Sequence, residues 1–179
     1  MTSDDFVRQL GAAAPRSDQL QQAGLSPRET EEFRLSYFCV PRATRLGGHE
    51  ADPVLDLLSR YDLGKVEIGM VTFTSEIGND SEVWLLGKVE VDPLVEERRT
   101  GEVRVNEGSP RGRVLWRCAR DGGRFLDALL PAAFFLGQCA YDSGVSENDS
   151  LRQGKARECA LAAGGNDYLD FYRMLLGCG

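Results

Sequence analysis

Histidine is almost missing from this chain: His49 is the single one in 179 residues. A histidine-rich metal site is excluded by that count alone. The five cysteines, Cys39, Cys118, Cys139, Cys159 and Cys178, are dispersed, odd in number and never in a C-x-x-C pair. Their spacing supports neither zinc ligation nor a disulfide framework, and they read as buried or free thiols of a reducing compartment. Long apolar runs are also lacking. The longest, Leu129 to Gly137, is too short for a membrane span and contains Pro131. The first residues, MTSDDFVRQL, carry acids where a secretory signal needs bases. These absences together predict a cytoplasmic protein with no membrane association.

Phosphate-binding loops are missing too. The glycines form neither G-x-G-x-x-G nor a P-loop, and Asp121-Gly122-Gly123-Arg124 reads as a turn capping a helix. No strand is predicted before Ser143-Gly144-Val145-Ser146, so that segment is not a nucleophile elbow. We expect no cofactor, no metal and no catalytic residue.

What the chain does have is acid. The formal net charge is −7. Residues 61–110 hold 5 basic and 11 acidic groups, a balance of −6. A field of that sign repels phosphate backbones, which disfavours nucleic acid as a partner, and it speeds encounter with basic proteins. Solubility alone is the plainer explanation of such a charge.

The periodicity predicts one domain over 1–179, with an α+β core over 25–140 and a helical extension over 141–179 packed on it. Ser3 is expected to cap a helix over 4–10, followed by a loose connection over 11–22. Ser26-Pro27-Arg28-Glu29 is a capping box with proline at the first helical position, opening a helix to about Phe38. Asp52-Pro53 opens another, stopped near Gly64. The period then changes to that of strands. Residues 65–73 switch parity near Gly69, which suggests a bulge or bend. Ile77–Asp80 is turn chemistry. Val83–Val91, Glu102–Asn106 and Val114–Cys118 complete a largely antiparallel sheet of four to five strands. Asp121 caps a helix carrying Phe125, Leu126, Leu129 and Leu130, which Pro131 should kink or end. Ser146 and Asp167 are expected to cap the last two helices.

Candidate chemistry is sparse. His49 lies between glycines and acids, where it could be a general base, yet no nucleophile accompanies it. Glu90, Asp92, Glu96 and Glu97 could be a carboxylate pair or a magnesium site, but they read better as a charged strand edge and loop, partly neutralised by Arg98 and Arg99. Cys118 precedes a helix N-terminus, though as the end of an apolar strand it reads as a core thiol. Trp84 and Trp116 fall on strands and pack in the core unless they project outward as interface anchors. The surface expected to meet a partner is therefore acidic: Glu82, Trp84, Glu90, Asp92, Glu96, Glu97 and Glu102. Reversing Glu90, Glu96 and Glu97 to lysine is expected to slow association while the fold survives.

One stretch has the character of a family. Val89-Glu90-Val91-Asp92, then Thr100-Gly101-Glu102-Val103, then Val114-Leu115-Trp116, then Phe125-Leu126 with Leu129-Leu130 resembles the SUKH superfamily of immunity proteins. There a strand ending in an acid is followed by a T-G-E turn, another strand, a variable loop and a segment leading into an F-L helix. The likeness covers roughly residues 60–130. The family's Asn-Gly-Gly turn has no counterpart here. The resemblance implies an α+β protein that neutralises a bacterial toxin, a nuclease or other effector, by binding and blocking it. A non-catalytic adaptor or secretion chaperone is the alternative. An enzyme built from acids and backbone groups is the third possibility, and the shortage of nucleophile–base sets speaks against it.

Overall fold

Ser26 caps the helix that its sequence announces. In the computed structural model, which describes residues 1–47 and 51–178, the Glu29 amide donates to the Ser26 hydroxyl and the Ser26 amide donates to the Glu29 carboxylate. Pro27 stands in the first turn of the helix so opened, α3 (Pro27–Leu35). Ahead of it lie α1 (Ser3–Ala13), capped by Thr2 rather than Ser3, and α2 (Ser17–Gln22). The connection expected over 11–22 thus contains a helix of one and a half turns. Such a short helix has little stability of its own, and burial of Leu20 gives it a tertiary hold. The Asp52 carboxylate accepts from the Val54 and Leu55 amides and starts α4 (Pro53–Arg60). α4 ends before Gly64 because Tyr61–Asp62 (β2) pairs with Val40–Pro41 (β1).

The main sheet has six strands, not four or five, in an otherwise α+β chain as expected. β3 (Glu67–Ile68), β4 (Val71–Asn79), β5 (Val83–Val89), β6 (Asp92–Glu97), β7 (Val103–Asn106) and β8 (Val114–Ala119) follow one another in space as in sequence. Every pairing is antiparallel. One predicted strand is in fact a hairpin, and another is shorter than expected. The parity change near Gly69 is a reversal between β3 and β4, with Gly69 at φ 60°. Residues 83–91 end at Val89, and Glu90–Val91 turn the chain into β6. Ile77–Asn79, expected as a turn, stays in β4, and the irregularity is a register slip between Phe73 and Gly78.

α5 (Gly122–Cys139) is capped by Asp121 and continues past Pro131 instead of ending there. Interior proline costs a helix about 3 kcal/mol. Phe125, Leu126, Ala128, Leu129, Ala132, Ala133 and Phe135 are all buried along this helix, and that burial outweighs the penalty. α6 (Ser143–Ser146) precedes α7 (Asp149–Ala163), which Asn148 caps in place of Ser146 and which Gly164 ends at φ 121°. A 3-10 turn over Asn166–Tyr168 leads into α8 (Leu169–Leu175). Asp167 therefore sits inside that turn and is not the cap of α8. One contiguous core runs from Phe6 in α1 to Leu176 beyond α8. Among the described residues no helix is long and apolar enough to cross a membrane.

The C-terminal extension closes the sheet. α7 packs along α5. The Arg120 amide donates to Ala163 O at 2.9 Å, and the Tyr172 hydroxyl donates to Cys118 O at 3.0 Å. These bonds cover the last part of the β8 edge. Tyr172 is wholly buried. Tyr172→Phe keeps the ring and removes the donor, leaving a buried carbonyl unpaired. We expect a loss of about 1–3 kcal/mol in a denaturant melt, with no change in helix content.

Candidate functional site

The seven residues expected on one acidic surface do not share one. β5 and β6 pair over Val83↔Glu97, Trp84↔Glu96 and Val89↔Asp92. Glu90 and Asp92 therefore lie at one end of this hairpin, and Glu82, Trp84, Glu96, Glu97 and Glu102 at the other. Six rises of a strand separate the two ends by roughly 20 Å.

At the far end most of the acid is neutralised. Arg111 lies 2.9 Å from Asp80 and 3.8 Å from Glu82. Arg117 bridges Glu102 at 2.6 Å and Asp167 at 3.3 Å. Arg104 sits 3.7 Å from Glu97, and the Thr100 hydroxyl donates to the same carboxylate and holds it below the usual carboxylate range. The arginines that do this come mostly from 104–117, beyond the acids in sequence but beside them in the meander. The Arg98 guanidinium stacks on the Trp84 ring at 3.3 Å. Trp84 and Trp116 are both half-buried against the core.

Glu96 corrects the sequence reading most sharply. It was expected on a solvated edge; it is 5 % exposed. Along β6, Leu94 and Glu96 share the face that points to the core. Glu96 there meets the N-termini of two helices, whose caps are Asp52 and Asp121. The three carboxyls crowd together, and Gly122 is packed so tightly on Asp52 that a Cβ would overlap the carboxylate. Burial, and then the charges of Asp52 and Asp121, push the Glu96 carboxyl up to about 8. No donor reaches Glu96 Oε2. Glu96 and Asp52 are joined by a side-chain hydrogen bond, which two carboxyls can form only if one of them carries a proton. Asp52 is itself raised, chiefly by burial, while the Leu55 and Val54 amides pull it the other way. Asp52 and Asp121 were legible as helix caps; nothing in their sequence neighbourhood pointed to Glu96. A lysine at position 96 would have to bury a longer, charged side chain at a site only 5 % exposed, so charge reversal there is expected to cost stability, unlike reversal at Glu90.

The near end is different. Glu90 and Val91 form the two-residue turn between β5 and β6. Glu90 has φ 54° and is the one non-glycine residue with positive φ among the described residues. Val91 is 80 % exposed, the most exposed of the large apolar side chains described. Asp92 accepts from the Gly108 amide at 2.9 Å. Among the described residues no cation pairs with Glu90.

Cys118 is wholly buried and its thiol is pushed well up by burial, as a core cysteine should be. All five thiols are free. Among the described residues no group of histidine, cysteine, aspartate and glutamate could hold a metal ion. His49 lies outside the described residues. No family model, curated protein or solved structure matches the chain.

Proposed function

We propose that the protein is a non-catalytic immunity protein whose β5–β6 hairpin tip engages a basic toxin domain and blocks it. One observation carries this reading: a glutamate occupies the left-handed turn position where glycine or asparagine belongs, next to a bare valine. A side chain there costs about 1–2 kcal/mol. Glycine at position 90 would avoid that cost. Glu90 beside exposed Val91 forms a projecting knob with a carboxylate next to an apolar anchor, and Asp92, which accepts from the Gly108 amide, adds a second negative charge at its base. The resemblance of residues 82–130 to the SUKH superfamily supports the same reading, since its T-G-E segment here links β6 to β7 and its F-L segment lies on α5. The alternative, a cytoplasmic adaptor or secretion chaperone, would use the same knob without blocking its partner. Catalysis by Glu96 would require a group that is nearly inaccessible to reach a substrate.

The test is binding to, and protection against, any toxin-domain protein that a neighbouring gene encodes. Glu90→Gly should stabilise the protein by about 1 kcal/mol, because the strained φ is relieved. It should also weaken partner binding. Glu90→Lys with Val91→Asp should slow association and lower affinity by about tenfold or more, with the salt dependence reduced. Protection should saturate near one inhibitor per toxin. Unchanged kinetics in the double variant would remove the knob from the interface. A complex in which the effector stays active would leave the adaptor, and full protection at sub-stoichiometric amounts would mean turnover.

A further inference from the structure

A pocket opens between α3, the β3–β4 turn and the C-terminal half of α5, and it uses none of the residues of the β5–β6 knob. Its volume is about 480 Å³, in the range of small-molecule sites. Phe33 and Tyr37 form one wall, with ring centroids 5.8 Å apart and planes tilted by 36°. They are four residues apart on α3 and so share a face. Leu136 and Gly69 line it as well. Position 69 favours glycine because its φ is 60°, and a Cβ there would also press on the tips of Leu175 and Leu136, at 2.9 and 3.2 Å. Leu136 makes the pocket apolar there.

The charged groups lining it are Glu32 and Glu67, both exposed carboxylates; no lysine, arginine or histidine lines it. Glu32 meets Arg28 at 2.8 Å on the outer surface of α3, a solvated pair that a ligand can compete with. The remaining polar groups carry no charge of their own. The Tyr37 hydroxyl donates to Ala133 O at 3.1 Å, and burial pushes both it and the Cys139 thiol up, so both are neutral at pH 7. The Glu67 amide donates to Ser36 O at 3.3 Å, which ties the acidic rim to the end of α3. Aromatic rings whose faces attract cations, apolar walls and two carboxylates thus share one concavity.

We propose that this pocket binds a small organic cation, a primary or substituted ammonium on an aromatic or alkyl body. The body would lie against Phe33, Tyr37 and Leu136, and the ammonium would face Glu32 and Glu67. A carboxylate ligand of the same shape would meet two like charges and no cationic side chain in the lining, Arg28 being held on the outer side of Glu32.

Phenethylammonium, 2-phenylethanol and phenylacetate separate the contributions, because they share a ring and differ in charge. Each is titrated into the full chain while amide shifts of Phe33, Gly69 and Leu136 are followed by NMR. The ammonium should bind about tenfold more tightly than the alcohol, and phenylacetate more weakly than either. Glu32→Gln with Glu67→Gln changes two exposed side chains and should bring the ammonium down to the affinity of the alcohol. Equal binding of ammonium and alcohol, shifts that map elsewhere, a preference that survives in the double variant, or no saturable shift with any probe would each overturn the assignment.

Discussion

Glu96→Gln should make the protein more stable at pH 8 and leave it nearly unchanged at pH 4. In the folded chain the Glu96 carboxyl is held up to about 8, against an ordinary value of 4.5. The folded state therefore keeps a proton that the unfolded state releases. Below the unfolded value both states hold it and nothing is lost. As the pH rises from there toward 8, the unfolded chain gains by ionising and stability falls, until above 8 the folded chain ionises too. At pH 7 the accumulated loss is about 3 kcal/mol, from 1.4 kcal/mol per unit of difference. Asp52, also raised, adds to the loss in the same direction. Glutamine keeps the shape, donates to Asp52 at every pH and has no proton to release. Its melting temperature should be higher than that of the parent at pH 8, and its stability should vary less with pH. Equal pH profiles for the two proteins would show that Glu96 is ionised in the fold.

Phe125→Ala should be the most damaging single truncation in the core. Phe125 has no exposed surface and sits one turn into α5 beside fully buried Leu126 and Leu129. Alanine leaves a cavity enclosed by α5 and the sheet, and such changes cost roughly 3–5 kcal/mol. A chemical melt measures it. A loss under about 1 kcal/mol would mean that the site collapses around the missing ring. The four-residue spacing of Phe125 and Leu129 was enough to place both inside, because a helix period leaves no second choice of face.

Strands were harder to read than helices, for a reason visible at β6. Asp92-Pro93-Leu94-Val95-Glu96-Glu97 offers a proline, which donates no ladder hydrogen bond, and three acids in six residues. Both features argue for a loop. What overrides them is position: β6 has β5 on one side and β7 on the other, and its inward glutamate is stabilised by a proton rather than by a cation. No local pattern announces that a carboxyl will be neutral. The same blindness hid the neutralisation of Glu82 and Glu102, because Arg111 and Arg117 become their neighbours only when the meander forms. Caps, by contrast, act within a few residues of themselves. The signals at Ser26, Asp52 and Asp121 each opened the helix expected of them. The C-terminal extension was legible as helices but not as a cover for β8, since Tyr172 and Cys118 are joined by a bond that no periodicity encodes.

A sheet in which each strand pairs only with its chain neighbour has a consequence for how the molecule assembles. β3 to β8 can zip one hairpin at a time, each step closing a short loop at small entropic cost. The helical shell has no such advantage. Phe6 of α1 and the residues of α5 and α8 join one core from opposite ends of the chain. We expect docking of the two helical termini onto this ladder to be the slow step in folding. Amide exchange should report it as early protection across β5 and β6 and late protection in α1 and α8.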